Sequence, residues 1–258
     1  MSIVMIGSGN LATQLAIALQ NSGHQITQVW SRQLAHAEDL AHRLSTEATD
    51  HWENLDKNAD VYVLAVSDQA ITEVAQGLML NHPDALILHC SGATSMDVLS
   101  RFKNFGVLYP VQTFSKHIPI DFAQIPIGIE GNRPEAYAAL ASIANALSGR
   151  VFDCDSAQRL ALHVSAVFAN NFTNALLQTA ADILAQHQLP FEILTPIIEE
   201  TVEKAVTHHP IKVQTGPAVR DDQVTLEKHL NFLSMNPEWQ LIYQKISDLI
   251  KKRKENNS

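Results

Sequence analysis

Ile3-Val4-Met5-Ile6-Gly7-Ser8-Gly9-Asn10-Leu11-Ala12 decides how this chain is read. An apolar run ends in a turn with two glycines, and the amphipathic pattern Leu11 to Leu19 follows at once. A Gly-x-Gly-x-x-Gly/Ala string carries weight only between a strand and a helix, and this one has that context. Gly7 allows the tight turn and Gly9 lets a pyrophosphate approach the backbone. Ala12, in the third glycine's place, keeps helix and strand close. The helix start then offers unpaired N–H groups and a positive dipole end to phosphate oxygens. Gly7, Ser8, Gly9, Asn10 and Leu11 are therefore candidate contacts for a dinucleotide, against the plainer reading of an ordinary strand–helix turn.

Downstream of this turn, short apolar runs alternate with helical patterns. Strands are predicted at residues 2–6, 25–30, 61–66, 86–89, 106–109, 125–130 and 150–152, and helices at 11–20, 35–44, 69–77, 97–102 and 134–147. Such alternation implies right-handed crossovers and a mainly parallel, doubly wound α/β sheet of the Rossmann type. Ligands of such sheets sit beyond the carboxyl ends of the strands. Near Asp153 the pattern changes. Residues 156–188 keep helical spacing without proline or glycine. Pro190, Pro196, Pro210, Pro217 and Pro237 then punctuate helical segments at 191–207, 223–231 and 238–254. The expected organisation is a nucleotide-binding domain over 1–153 and an all-helical domain over 154–258.

Composition narrows the partners. The chain has 258 residues, enough for one large domain or two of ordinary size, and with 46% hydrophobic and 17% charged it has ample material for a globular core. A net charge of −9 argues against a general nucleic-acid or anionic-membrane binder. The basic run Lys251-Lys252-Arg253-Lys254 is read as a helix end favoured by its dipole. Cys90 and Cys154 form no CxxC pair and fit a reducing compartment. The chain opens on a strand without a signal-like segment, and no apolar run reaches spanning length, so a cytoplasmic location is expected.

The second predicted strand selects between dinucleotides. It ends in Trp30-Ser31-Arg32, where proteins selective for NAD usually place Asp or Glu against the ribose hydroxyls. A guanidinium binds a 2′-phosphate bidentately, and the serine adds a donor. Ser31 and Arg32 therefore favour NADP over NAD, unless Arg32 is only a solvated turn residue. Val66 and Ser67, at the end of the next inner strand, are placed on the ribose–nicotinamide side. Asp68 is assigned as the N-cap of the following helix. His89 either faces the nicotinamide or bonds to a neighbouring loop, the commoner role for a histidine ending a buried strand.

The segments 4–12, 65–71, 89–94, 163–176 and 215–222, with Tyr109-Pro110-Val111-Gln112-Thr113-Phe114-Ser115, together resemble one bacterial family. That family joins a Rossmann-like NADP-binding N-domain to a helical C-domain of unknown function. It is similar to pyrroline-5-carboxylate reductases and deazaflavin-dependent NADP oxidoreductases. The resemblance spans nearly the whole chain and implies a C-terminal bundle of the 6-phosphogluconate dehydrogenase type, through which the protein forms a homodimer. It supplies no substrate. In related β-hydroxyacid dehydrogenases a helix lysine stands three residues before a paired asparagine; here that position is Val167.

Three segments supply candidate substrate groups. His163, Val167, Asn170 and Asn174 recur at helical spacing on one face, with Asn171 beside them. Two adjacent asparagines in an apolar stretch need partners if buried, from neighbouring backbone, a ligand or an interhelix contact within a dimer. His163 is a candidate general acid or base because imidazole titrates near neutrality, and its plainer role is structural. Gln112, Thr113 and Ser115 offer neutral donors and acceptors to a polar substrate. Arg220 suits a carboxylate or phosphate, with a salt bridge to Asp221, Asp222 or another subunit's acid as the alternative. His208, His209 and His229 lack ligand spacing, so no metal is expected. These readings converge on an NADP-dependent oxidoreductase acting on a small polar carbonyl or imine in an interdomain cleft. The alternative is a non-enzymatic NADP(H) sensor or regulator.

Overall fold

The computed structural model describes residues 1–256; Asn257 and Ser258, at the end of the expected helical domain, lie outside the described residues. Two compact units divide the chain, Met1–Ala169 and Asn170 onward. The first is built on one eight-stranded sheet: β1 (Ser2–Ile6), β2 (Gln25–Trp30), β3 (Glu47–Thr49), β4 (Val61–Leu64), β5 (Leu86–His89), β6 (Asn104–Pro110), β7 (Ile127–Gly131) and β8 (Val151–Asp153). Their spatial order is β3-β2-β1-β4-β5-β6-β7-β8. All neighbours pair in parallel except β6 and β7. The order reverses between β1 and β4, so their carboxyl ends open the crevice where such sheets take ligands.

The quoted apolar run is continuous because both faces of β1 are covered. Ile3 and Met5 pack with Leu15 and Leu19 of α1 (Asn10–Asn21). Val4 and Ile6 point to the other face, among Tyr62, Leu64 and Ile71. Between the strands run α2 (Leu34–Leu44), α3 (Asp68–Gly77) and α4 (Pro134–Leu147). All four apolar side chains of β1 are wholly buried, each contributing about 1.5–3 kcal/mol.

Several boundaries differ from the sequence expectation. The three-residue edge strand β3 was not anticipated, being too short to show a period. The helix expected at 97–102 is a single 3-10 turn, Met96–Leu99. Asp68 is the first residue of α3 and Ser67 its N-cap, so the capping role expected of Asp68 is corrected.

A capping box starts α5 (Ser156–Ala166) soon after β8: Asp155 accepts from the Gln158 N–H and Gln158 accepts from the Asp155 N–H. The expected unbroken helix contains a π-helical turn, Val167–Phe172, before α6 (Thr173–Gln186). In the second unit follow α7 (Thr195–His208), α8 (Pro210–Val213), α9 (Pro217–Arg220), α10 (Gln223–Phe232) and α11 (Pro237–Glu255). Four of the punctuating prolines stand in first turns, where the missing N–H costs nothing. Among the described residues no helix is long and apolar enough to cross a membrane.

Candidate functional site

The glycine turn leaves β1 between the ends of two neighbouring strands. The Gly7 N–H donates to the Trp30 carbonyl at 2.8 Å, and the Ala65 N–H donates to Ile6 at 2.8 Å. Gly7 has φ +124°, and a Cβ there would lie 2.3 Å from the Ala65 carbonyl oxygen. Only glycine fits. Gly9 differs: its φ is −74°, and a Cβ would meet no protein atom within 4 Å. Neither backbone strain nor packing requires glycine there, so the open space suits an outside group pressed against the backbone. No side chain caps α1, whose first backbone bond is Thr13 N–H to Gly9. The N–H groups of Asn10, Leu11 and Ala12 therefore have no partner within the helix.

This turn floors a cavity of about 370 Å³. Gly7, Ser8 and Gly9 line it with Ser31 and Arg32 to one side and Val66 and Ser67 to the other. The Ser8 hydroxyl donates to Ser31 Oγ at 3.0 Å, joining the two loops. Arg32, His36 and Lys116 bring basic groups to the lining, and no carboxylate does. Among the described residues the Arg32 guanidinium has no hydrogen bond or ion pair, which the solvated-turn alternative also allows. Trp30, at the end of β2, is buried and stacks on Trp52 with centroids 4.0 Å apart.

Farther along the same strand edge, His89 is wholly buried and its Nδ1 accepts the Ser91 N–H at 3.2 Å. Burial first, and the Arg159 charge second, hold its pKa at about 4. This neutral ring fixes the following loop, the commoner of the two roles considered for it. Arg159 of α5, 1% exposed, grips that loop directly. It donates to the carbonyls of Ser91 (3.0 Å) and Thr94 (2.7 Å) and pairs with Glu130 at 2.5 Å. Glu130 also accepts from the N–H and hydroxyl of Ser156.

One turn beyond Arg159, His163 is packed so closely on Gly92 that a Cβ there would fall 2.7 Å from its Nδ1. The same Nδ1 lies 3.2 Å from the Tyr109 hydroxyl. Burial raises the Tyr109 pKa. Arg159, Glu130 and the Tyr109 partnership escaped the sequence reading. Their partners are remote in the chain, and the only local signal was the capping box launching α5.

The other candidates are not gathered into this cavity. Gln112 and Thr113 are exposed, and Gln112 Oε1 accepts the Thr113 N–H. Ser115 is held through its carbonyl by Gln14 of α1. Asn170 and Asn171 lie exposed on the π turn within this single chain. The π turn also breaks the α-helical register assumed in placing them on the face of His163. Arg220 is exposed at the end of α9. Within the chain neither neighbouring acid pairs with it: Asp221 pairs with Lys251 at 3.1 Å and Asp222 caps α10 through Thr225. Among the described residues no three His, Cys, Asp or Glu side chains gather as metal ligands.

Residues 2–91 match the family model of NADP oxidoreductases described as coenzyme F420-dependent. Residues 125–250 match a domain of unknown function (DUF2520). A solved Bacteroides fragilis protein, provisionally named an NADP oxidoreductase, is 40% identical with a TM-score of 0.91. That match covers 97% of this chain and 98% of that one. A pyrroline-5-carboxylate reductase of Streptococcus pyogenes (16% identity, TM-score 0.63) covers 98% of each chain. An imine reductase of Myxococcus stipitatus, solved with NADP+, has 18% identity and a TM-score of 0.63 over 98% and 92% of the two chains. The last two likenesses concern the fold alone. None of the curated proteins matches the chain.

Proposed function

The chain belongs to the family of the Bacteroides fragilis NADP oxidoreductase, and from that premise we propose that it transfers hydride between NADP(H) and a small polar carbonyl or imine compound. The observation that carries this reading is the glycine-floored cavity, with a free helix start and a basic, acid-free margin. Gly7, Gly9 and the first N–H groups of α1 would seat the pyrophosphate. Ser31 and Arg32 would take the 2′-phosphate, and no carboxylate lines the cavity to receive NAD's free ribose hydroxyls. When bound, the cofactor supplies the hydride.

The remaining work falls to this chain's own groups. Val66 and Ser67 would flank the ribose leading to the nicotinamide. Arg159 fixes the Ser91–Thr94 loop, and that loop in turn packs against His163 through Gly92. His163, its Nδ1 held at 3.2 Å by the Tyr109 hydroxyl, would give its Nε2 proton to a substrate oxygen or nitrogen as the imidazolium and be left as the neutral imidazole. Loss of the lysine at Val167 leaves this imidazole as the proton donor on α5. The helical unit would pair with that of a second copy, and the unpaired buried thiols Cys90 and Cys154 suit the cytoplasm.

The test combines calorimetric titration of NADPH and NADH with NADPH oxidation against carbonyl and imine panels. His163→Ala should lower kcat by about a hundredfold or more while NADPH still binds. Unchanged turnover would remove His163 from the reaction. Tight binding with no turnover on any compound would instead support a sensor.

A further inference from the structure

We propose that Lys116 is a second anchor for the cofactor's 2′-phosphate, so that the chain between β6 and β7, as well as the end of β2, sets nucleotide choice. This rests on the reading that the glycine-floored cavity holds NADP(H). Lys116 lines that cavity together with Gly9, Ser31 and Arg32. It comes from a part of the chain remote from all three.

Its position is fixed by α1. Gln14, 7% exposed, donates its side-chain amide to the carbonyls of Ser115 at 2.6 Å and Ile118 at 3.1 Å. These two bonds bracket Lys116. Arg43 of α2 adds a longer bond to the Lys116 carbonyl, 3.4 Å. The helix whose free N-terminus faces the cavity thus also holds the backbone that presents the lysine. Among the described residues the Lys116 ammonium has no ion pair or hydrogen bond.

The charge arrangement indicates what belongs there. Arg32 and Lys116 border a space lined by no carboxylate, so their charges are unbalanced within it. A phosphate monoester carries about −1.5 to −2 charges at neutral pH and can accept from several donors at once. Arg32 can grip it as a planar fork and Lys116 as a point charge. A ribose hydroxyl offers one uncharged oxygen in place of three that share the phosphate's charge. Lys116 also borders a separate cavity of about 580 Å³ beside α1, which gives the rival role for this side chain.

Calorimetry on the full chain with 2′,5′-ADP and 5′-AMP separates these roles. Lys116→Met, which keeps the aliphatic stem, should weaken 2′,5′-ADP by about tenfold, since a charge-assisted bond is lost, and leave 5′-AMP unchanged. Lys116→Arg should retain the preference. Gln14→Leu touches neither phosphate; it should cause a smaller loss in the same direction, absent in the Lys116→Met background. Equal losses for both nucleotides, or no loss, would overturn the assignment while leaving the NADP reading intact. A wild-type protein with no preference for 2′,5′-ADP would overturn both together.

Discussion

From Ile3 to Ile6, and throughout β4 and β5, every residue of the first unit's central strands is buried. From Asn170 onward only Ala218, Leu226 and Leu233 are buried among the described apolar residues, while Ile197, Val206 and Met235 are 61%, 81% and 87% exposed. Both regions carry strong apolar periodicity, yet only the first closes it around a core of its own. A sheet covered on both faces satisfies itself within one chain. Short helices separated by prolines leave apolar stripes for another surface. The first unit's stability is thus accounted for within the chain, while the second unit's apolar side chains stay exposed in it.

The largest expected effect breaks the self-sufficiency of the first unit. Arg159→Met should cost about 3–5 kcal/mol, because it leaves Glu130 and two loop carbonyls without their buried partner. Glu130 keeps its two bonds to Ser156, which favours the lower end of that range. Urea unfolding followed by tryptophan fluorescence measures the loss. Adding Glu130→Gln should recover part of it, since the uncompensated charge is then gone. A loss below about 1 kcal/mol, the scale of a surface pair, would mean that α5 does not depend on this clamp.

The same contrast explains what could be read from the sequence. The strand, glycine turn and α1 are encoded within a dozen consecutive residues, so Gly7, Ser8, Gly9, Ser31, Arg32, Val66 and Ser67 could be collected around one cavity before any coordinates. Lys116 could not, because its place depends on a buried glutamine over a hundred residues away in the chain. Arg159 was equally hidden: its role depends on carbonyls, which leave no side-chain signature. Asn170 and Asn171 show the same limit: they and the apolar stripes around them are exposed within one chain, where a partner from a ligand or a second copy leaves no signature. Periodicity reveals which face must be buried, not which molecule buries it.

A smaller effect sharpens the assignment of stability to the sheet. His89 has a folded pKa of about 4 against 6.5 when free, because burial disfavours its charged form. The unfolded chain therefore takes the proton first. The stabilisation is complete above the unfolded pKa and is lost as pH falls from there towards the folded value. Between about pH 7 and about pH 5 the loss should be about 2 kcal/mol. Parallel unfolding curves for wild type and His89→Asn isolate this contribution, since the asparagine keeps an acceptor for the Ser91 N–H. An identical pH slope in the variant would place the linkage elsewhere.

The smallest effect bears on the second unit. If its exposed apolar stripes are covered by another copy, unfolding is coupled to dissociation, and apparent stability should rise by about 1.4 kcal/mol for each tenfold increase in protein concentration. Urea midpoints over a dilution series, with light scattering for mass, test this against the protomer's 28.5 kDa. A dimer mass with a concentration-dependent midpoint ties the helical unit's stability to its partner. A protomer mass with a fixed midpoint would break the comparison, because the second unit would then stand alone with apolar side chains in water. The Arg159 and His89 effects survive either result, since each depends on groups buried within the first unit. Only the helical unit's stability need change with dilution, so the concentration series asks whether its uncovered face is an interface.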